Sequence, residues 1–264
     1  MSNRAPAVAG LFYTGEAGRL GAEVRGYLAA AAAEGPAPKA MILPHAGHIY
    51  SGPIAASGYA RLAPARDTVT RVVLIGPSHY VPLRGLAASS ADSFATPLGK
   101  VPVDRPTIDR LLALPQVALM DAAHEREHSL EVHLPFLQAA LDAFSLVPLV
   151  AGSASAEDVA EVLEAAWGGP ETLIVVSSDL SHYHDYETAR RMDAATSAAI
   201  EALTPEDIGD DRACGRVPIG GLLRAAARHG LAARTVDLRN SGDTAGPKSR
   251  VVGYGAWVFE PAGD

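Results

Sequence analysis

Three short runs in this chain are almost wholly apolar: Ala40–Leu43 (AMIL), Arg71–Ile75 (RVVLI) and Thr172–Val176 (TLIVV). A strand with one solvated face alternates apolar and polar residues, so a run without alternation is buried on both faces. Between the runs the periodicity changes to that of helices. Leu20, Val24, Tyr27 and Leu28 share one face of a helix that Gly35 can end, and Leu130, Leu134, Leu137 and Leu141 share one side of another. Helices also fit Pro53–Leu62, with Pro53 in the first turn, and Arg105–Leu114, Ala156–Trp167, Thr188–Leu203 and Pro218–His229. Further strands fit Leu86–Ser90, the stretch Ala95–Asp104 around a Gly99 turn, Phe144–Val150, Ala233–Leu238 and Val251–Phe259. Buried strands alternating with amphipathic helices predict an α/β fold, a three-layer sandwich whose central, partly parallel mixed sheet is flanked by helices. No repeat and no low-complexity linker divides the chain, so a single domain over residues 1–264 is expected.

Composition excludes several function classes. With 22 Lys and Arg against 30 Asp and Glu the net charge is −8, and no basic run offers the footprint that a general nucleic-acid binder needs. No stretch is long and apolar enough to span a membrane, and the N-terminal MSNRAPAVAG lacks a signal core, so a cytoplasmic protein is expected. The single cysteine, Cys214, rules out an intrachain disulfide. There is no G-x-S-x-G elbow, no phosphate-binding G-x-x-x-x-G-K-[ST] loop and no G-x-G-x-x-G fingerprint, which disfavours serine hydrolases, P-loop NTPases and Rossmann dehydrogenases.

Ligands of α/β sheets bind beyond the carboxyl ends of the strands. There the first run is followed by His45, the second by His79, and the third by Ser177-Ser178-Asp179-Leu180-Ser181-His182. A lone loop histidine is more often a hydrogen-bonded surface residue than a ligand. Three of them at one sheet edge favour a metal or acid–base site. Two readings are open for Cys214: a small buried hydrophobe, or a thiolate favoured by Arg212, Arg216 and the start of a helix. His124-Glu125-Arg126-Glu127-His128 matches the H-E-x-x-H of zinc proteases, but its charged middle does not suit a buried metal helix, so no zinc site is expected between His124 and His128. His128, Glu131 and His133 either line the pocket or begin a solvated helix.

These blocks together resemble the Memo-like proteins, known in prokaryotes as AmmeMemoRadiSam system protein B. The resemblance runs nearly end to end, through PAVAGLFY, ILPHAGHIYSG, VVLIGPSHYVP, EHSLEVHLPFLQ, VVSSDLSHYHDY, ACGRVPI, RNSGDTAG and VVGYGAW. It implies a fold like that of the class III extradiol dioxygenases, in which two histidines and a carboxylate hold non-haem iron. Carried over by motif, His45 and His79 match the two histidine ligands, His182 the acid–base histidine with Asp179 beside it, and Cys214 the place of the carboxylate. A thiolate is softer than a carboxylate and favours copper(I), zinc or a different iron chemistry. The resemblance also implies a functional link to a radical SAM protein and an AMMECR-like protein. The expectation is a metal-dependent oxidoreductase using iron or copper on a small-molecule substrate. The alternatives are a non-catalytic ligand- or peptide-binding module, or a zinc-dependent hydrolase.

Overall fold

The computed structural model describes residues 2–32 and 34–262. The chain runs through β1 (Asn3–Arg4), α1 (Ala17–Ala30), β2 (Ala40–Leu43), α2 (His48–Tyr59), β3 (Arg71–Pro77), β4 (Leu86–Ala88), β5 (Ser93–Thr96) and β6 (Gly99–Pro102). It continues through α3 (Arg105–Leu111), β7 (Val117–Leu119), α4 (Ala122–Glu125), α5 (Leu134–Ala140), β8 (Ser145–Ala151), α6 (Ala156–Ala166), β9 (Thr172–Ser177) and β10 (His182–His184). It closes with α7 (Tyr186–Glu201), α8 (Arg216–Arg228), β11 (Leu231–Asn240) and β12 (Val251–Pro261).

Nine strands form the main sheet, in the order β10-β12-β2-β9-β3-β8-β4-β7 with β11 also on β12. Its centre, β2-β9-β3-β8, is parallel, while β12 on β2 and β4 on β8 are antiparallel. The sheet is therefore mixed and partly parallel, as the apolar runs predict. Every residue of β2 and β9 is buried, because one group of helices (α1, α2, α5) and another (α3, α6, α8) sandwich the strands between them. One hydrophobic cluster extends through both layers, with Trp257 fully buried and its indole N–H donating to Ser197 Oγ at 3.1 Å. No helix among the described residues is long and apolar enough to cross a membrane.

The differences from the sequence reading are local. Helix α2 begins at His48, five residues before Pro53, which sits inside it. The helix expected at Leu130–Leu141 is a 3-10 turn, Glu131–His133, leading into α5, because Pro135 restarts the helix at its own second position. Strands β1, β7 and β10 are two or three residues long, too short to show a period. Helix α1 ends at Ala30; Ala33 of the expected helix end lies outside the described residues.

Candidate metal centre

The parallel strands all deliver their carboxyl ends to one edge. His45 follows β2 by two residues, His79 follows β3 by two, and β9 ends in Ser177, with Asp179 just beyond it. The rings of His45 and His79 lie 5.1 Å apart. A third imidazole joins them from the loop before α5: His128 stacks on His79 at 4.5 Å and meets His45 edge-on at 5.6 Å. One donor nitrogen from each of His45, His79 and His128 lies within 4.8 Å of the other two, close enough for the three to share a cation. Two glycines make the approach. A Cβ on Gly76 would sit 2.8 Å from Ser129 Oγ, so glycine lets the 127–130 segment close on β3. A Cβ on Gly215 would sit 2.5 Å from the Ser177 carbonyl oxygen, so glycine lets the start of α8 close on β9 and brings in Cys214.

The hydrogen bonds fix which nitrogens are bare. Buried Glu127 accepts from the His79 backbone N–H at 2.6 Å and from His79 Nδ1–H at 2.8 Å, leaving His79 Nε2 free. It also accepts from the N–H groups of His128 and Ser129, both at 2.9 Å. Burial alone would raise its pKa, but these donors, His79 foremost, hold it down to about 2. This carboxylate–histidine pair is the arrangement that orients histidine ligands in metalloproteins. His45 Nδ1 lies 2.6 Å from Ser177 Oγ. Burial, then the neighbouring histidines, pushes the His45 pKa well below the usual imidazole range, and the same causes push His128 down to about 4. Neutral imidazoles are what a metal requires. His128 Nδ1 is moreover buried with no hydrogen-bond partner. Two neutral rings, His45 and His128, the free Nε2 of His79 and an orphaned nitrogen fit a divalent or soft monovalent cation.

The remaining expected residues surround this cluster. Cys214 Sγ is 3.3 Å from His45 Nε2 but outside the set of mutually close donors. Burial, then Asp179, pushes its thiol up to about 12, so without a cation it is protonated. Asp179 accepts from the His45 backbone N–H at 2.8 Å, and burial raises its carboxyl to about 6. His182 Nδ1 donates to the Leu180 carbonyl at 2.7 Å, leaving Nε2 bare. Asp179, His182 and His128 line a cavity of about 360 Å³ walled by Phe12, Tyr50 and Tyr254. A larger cavity of about 510 Å³, beside Arg4 and Asp121, contains none of the clustered imidazoles.

His124 is not part of the cluster: it is buried, with Nε2 donating to the Ala87 carbonyl at 3.0 Å. The two histidines of the H-E-x-x-H string thus have different surroundings, and the second enters the cluster. His128 and Glu127 lie outside the ligand set that the sequence singles out, because no apolar strand precedes them. The signal that could have found them is Glu127, an acid next to the histidine in a segment otherwise running into a buried helix.

A family model described as Memo-like protein matches residues 4–258. A MEMO1 family protein of Aquifex aeolicus is 36% identical over an alignment of 270 positions that covers 98% of this chain and 100% of that protein. A MEMO1 family protein of Aeropyrum pernix is 39% identical over an alignment of 233 positions that covers 82% of each chain. Among solved structures, the uncharacterized protein JW3007 from Escherichia coli K12 aligns with a TM-score of 0.54 at 14% identity, covering 82% of this chain and 98% of that one, a likeness of fold alone.

Proposed function

The chain belongs to the Memo-like family, and from that premise we propose that it is a metal-dependent oxidoreductase, holding iron or copper with His45, His79 and Cys214 and with His128 beside them. The observation that carries this reading is the mutual approach of three imidazoles, with one donor nitrogen of each within 4.8 Å of the other two. A redox-active metal bound there would supply Lewis acidity and electron transfer toward dioxygen.

The rest falls to the chain's own groups. His45 and His79 each have Nδ1 tied to a fixed partner, so each ring has Nε2 left to ligate and little freedom to turn. Asp179 holds the His45 backbone in place. His182, with Nδ1–H committed to the Leu180 carbonyl, takes or returns a proton at Nε2. Phe12, Tyr50 and Tyr254 bind a small organic substrate against this base and keep water from the rings.

A second reading has its own support. Three imidazoles would also suit catalytic zinc, which would make the protein a hydrolase with His182 as proton shuttle. Metal analysis of protein purified without oxygen, paired with oxygen-uptake assays, separates the two. Stoichiometric iron or copper, lost in His79→Ala, is the expected result. Zinc alone would turn the reading to hydrolysis. Protein that neither carries nor binds a metal refutes both and leaves a ligand-binding module.

A further inference from the structure

We propose that Ser177 is the positioning residue that holds His45 in a single tautomer, Nε2 bare, through an ordered chain of hydrogen bonds that begins at Tyr59 in the core. Its consequence for metal binding rests on the reading above; the proton order itself does not. Ser177 Oγ is fully buried and has three neighbours: His45 Nδ1 at 2.6 Å, His133 Nε2 at 2.9 Å and the Ser129 carbonyl oxygen at 2.6 Å. A hydroxyl has one proton to give and two lone pairs. The Ser129 oxygen can only accept, so it takes that proton. Both imidazoles must then donate to Ser177.

The other end of the chain agrees. Tyr59 is buried, and among the described residues its hydroxyl has one hydrogen-bond partner, His133 Nδ1, at 2.9 Å. A buried hydroxyl without an acceptor is costly, so Tyr59 donates and His133 Nδ1 is the bare nitrogen. A neutral imidazole carries one proton, which puts the His133 proton on Nε2, facing Ser177. Were Ser177 to donate to His45 instead, the His45 proton would move to Nε2, where it would block ligation and face Cys214 Sγ at 3.3 Å. In the order that Tyr59 and Ser129 impose, His45 Nε2 accepts, and the Cys214 thiol can donate to it when no cation is present.

Long-range proton–nitrogen NMR on histidine-labelled, metal-free protein reads each tautomer directly. His45 and His133 should appear protonated on Nδ1 and Nε2 respectively. In Ser177→Ala, His45 should gain population protonated on Nε2, and zinc affinity, measured by competition with a chromophoric chelator, should fall ~10–100-fold, the usual effect of losing an outer partner of a ligand. Ser177→Thr keeps the hydroxyl and should restore both. Melting curves of the variants check that the fold is retained. A His45 proton on Nε2 in the unaltered protein overturns the proposal without any variant. So does an unchanged tautomer in Ser177→Ala, or a threonine variant that behaves like the alanine one, since packing would then orient the ring. If the order is found but neither zinc, iron(II) nor copper(I) binds to any of these proteins, the proposal stands and the metal reading fails.

Discussion

Five histidines, His45, His48, His124, His128 and His133, have pKa values lowered first of all by burial. Unfolding returns each to about 6.5. Between that value and the lower folded ones, the unfolded chain binds more protons, so stability drops as the pH falls. Asp179 and Asp193 act in the opposite sense, since burial raises both above the ordinary carboxylate value. Five rings outweigh two carboxyls. The urea midpoint of the metal-free protein should therefore be lower at pH 5.5 than at pH 7.5, and a flat or rising profile would show that the rings are not held neutral. Glu127, depressed to about 2, adds a further loss as the pH falls below the ordinary glutamate value. Substituting it tests the centre more directly. In Glu127→Gln the side chain's own N–H₂ meets backbone and ring N–H donors, so the variant should lose ~1.5–3 kcal/mol of stability, the range for hydrogen bonds to a charged group. Its metal affinity should fall ~10–100-fold through the disoriented His79 ring. His124→Ala, by contrast, should leave metal content unchanged, and loss of stoichiometric metal in it would restore the H-E-x-x-H reading.

Secondary elements bring these residues together by close backbone approach, and glycine decides how close. In Gly215→Ala the new Cβ would overlap the Ser177 carbonyl oxygen at 2.5 Å and Ser178 Cβ at 2.6 Å, so the start of α8 must move off β9 and carry Cys214 with it. The expected outcome is weaker metal binding with a lowered melting temperature. Gly26 makes the contrast: it lies exposed inside α1, and a methyl group added there would meet nothing within 4 Å. Gly26→Ala should stabilise by ~0.5–1 kcal/mol through helix propensity alone and leave metal binding untouched. Thermal melts of both variants check the pair; equal effects would mean that the tight packing at Gly215 does not shape the site.

Across the whole molecule, the N-terminal segment is tied over the site by one buried carboxylate. Glu131 pairs with Arg4 and accepts from the N–H groups of Ala7 and Val8 at 2.7 and 3.0 Å and from the Tyr13 hydroxyl at 2.6 Å. That places the Phe12 ring 4.7 Å from His128. Glu131→Ala would leave Arg4 buried without its counter-charge, and should cost ~3–5 kcal/mol in urea unfolding. A loss below ~1 kcal/mol, the size of an exposed pair, would mean that the segment is held by other contacts. This latch joins residues 127 positions apart, and it illustrates what could and could not be read in advance. Periodicity is local, so the apolar runs at Ala40, Arg71 and Thr172 determined the strands, their burial and the edge at which His45, His79, Asp179 and His182 emerge. The sequence motifs likewise pointed to the Memo-like family. What periodicity cannot encode is the approach of segments with no period of their own. Folding alone decided that His128 would join His45 and His79, that Glu127 would orient His79, and that Ser177 would stand between His45 and His133. Each of these depends on distances across the sheet edge, which are set when helices and loops close on strands far away in the chain.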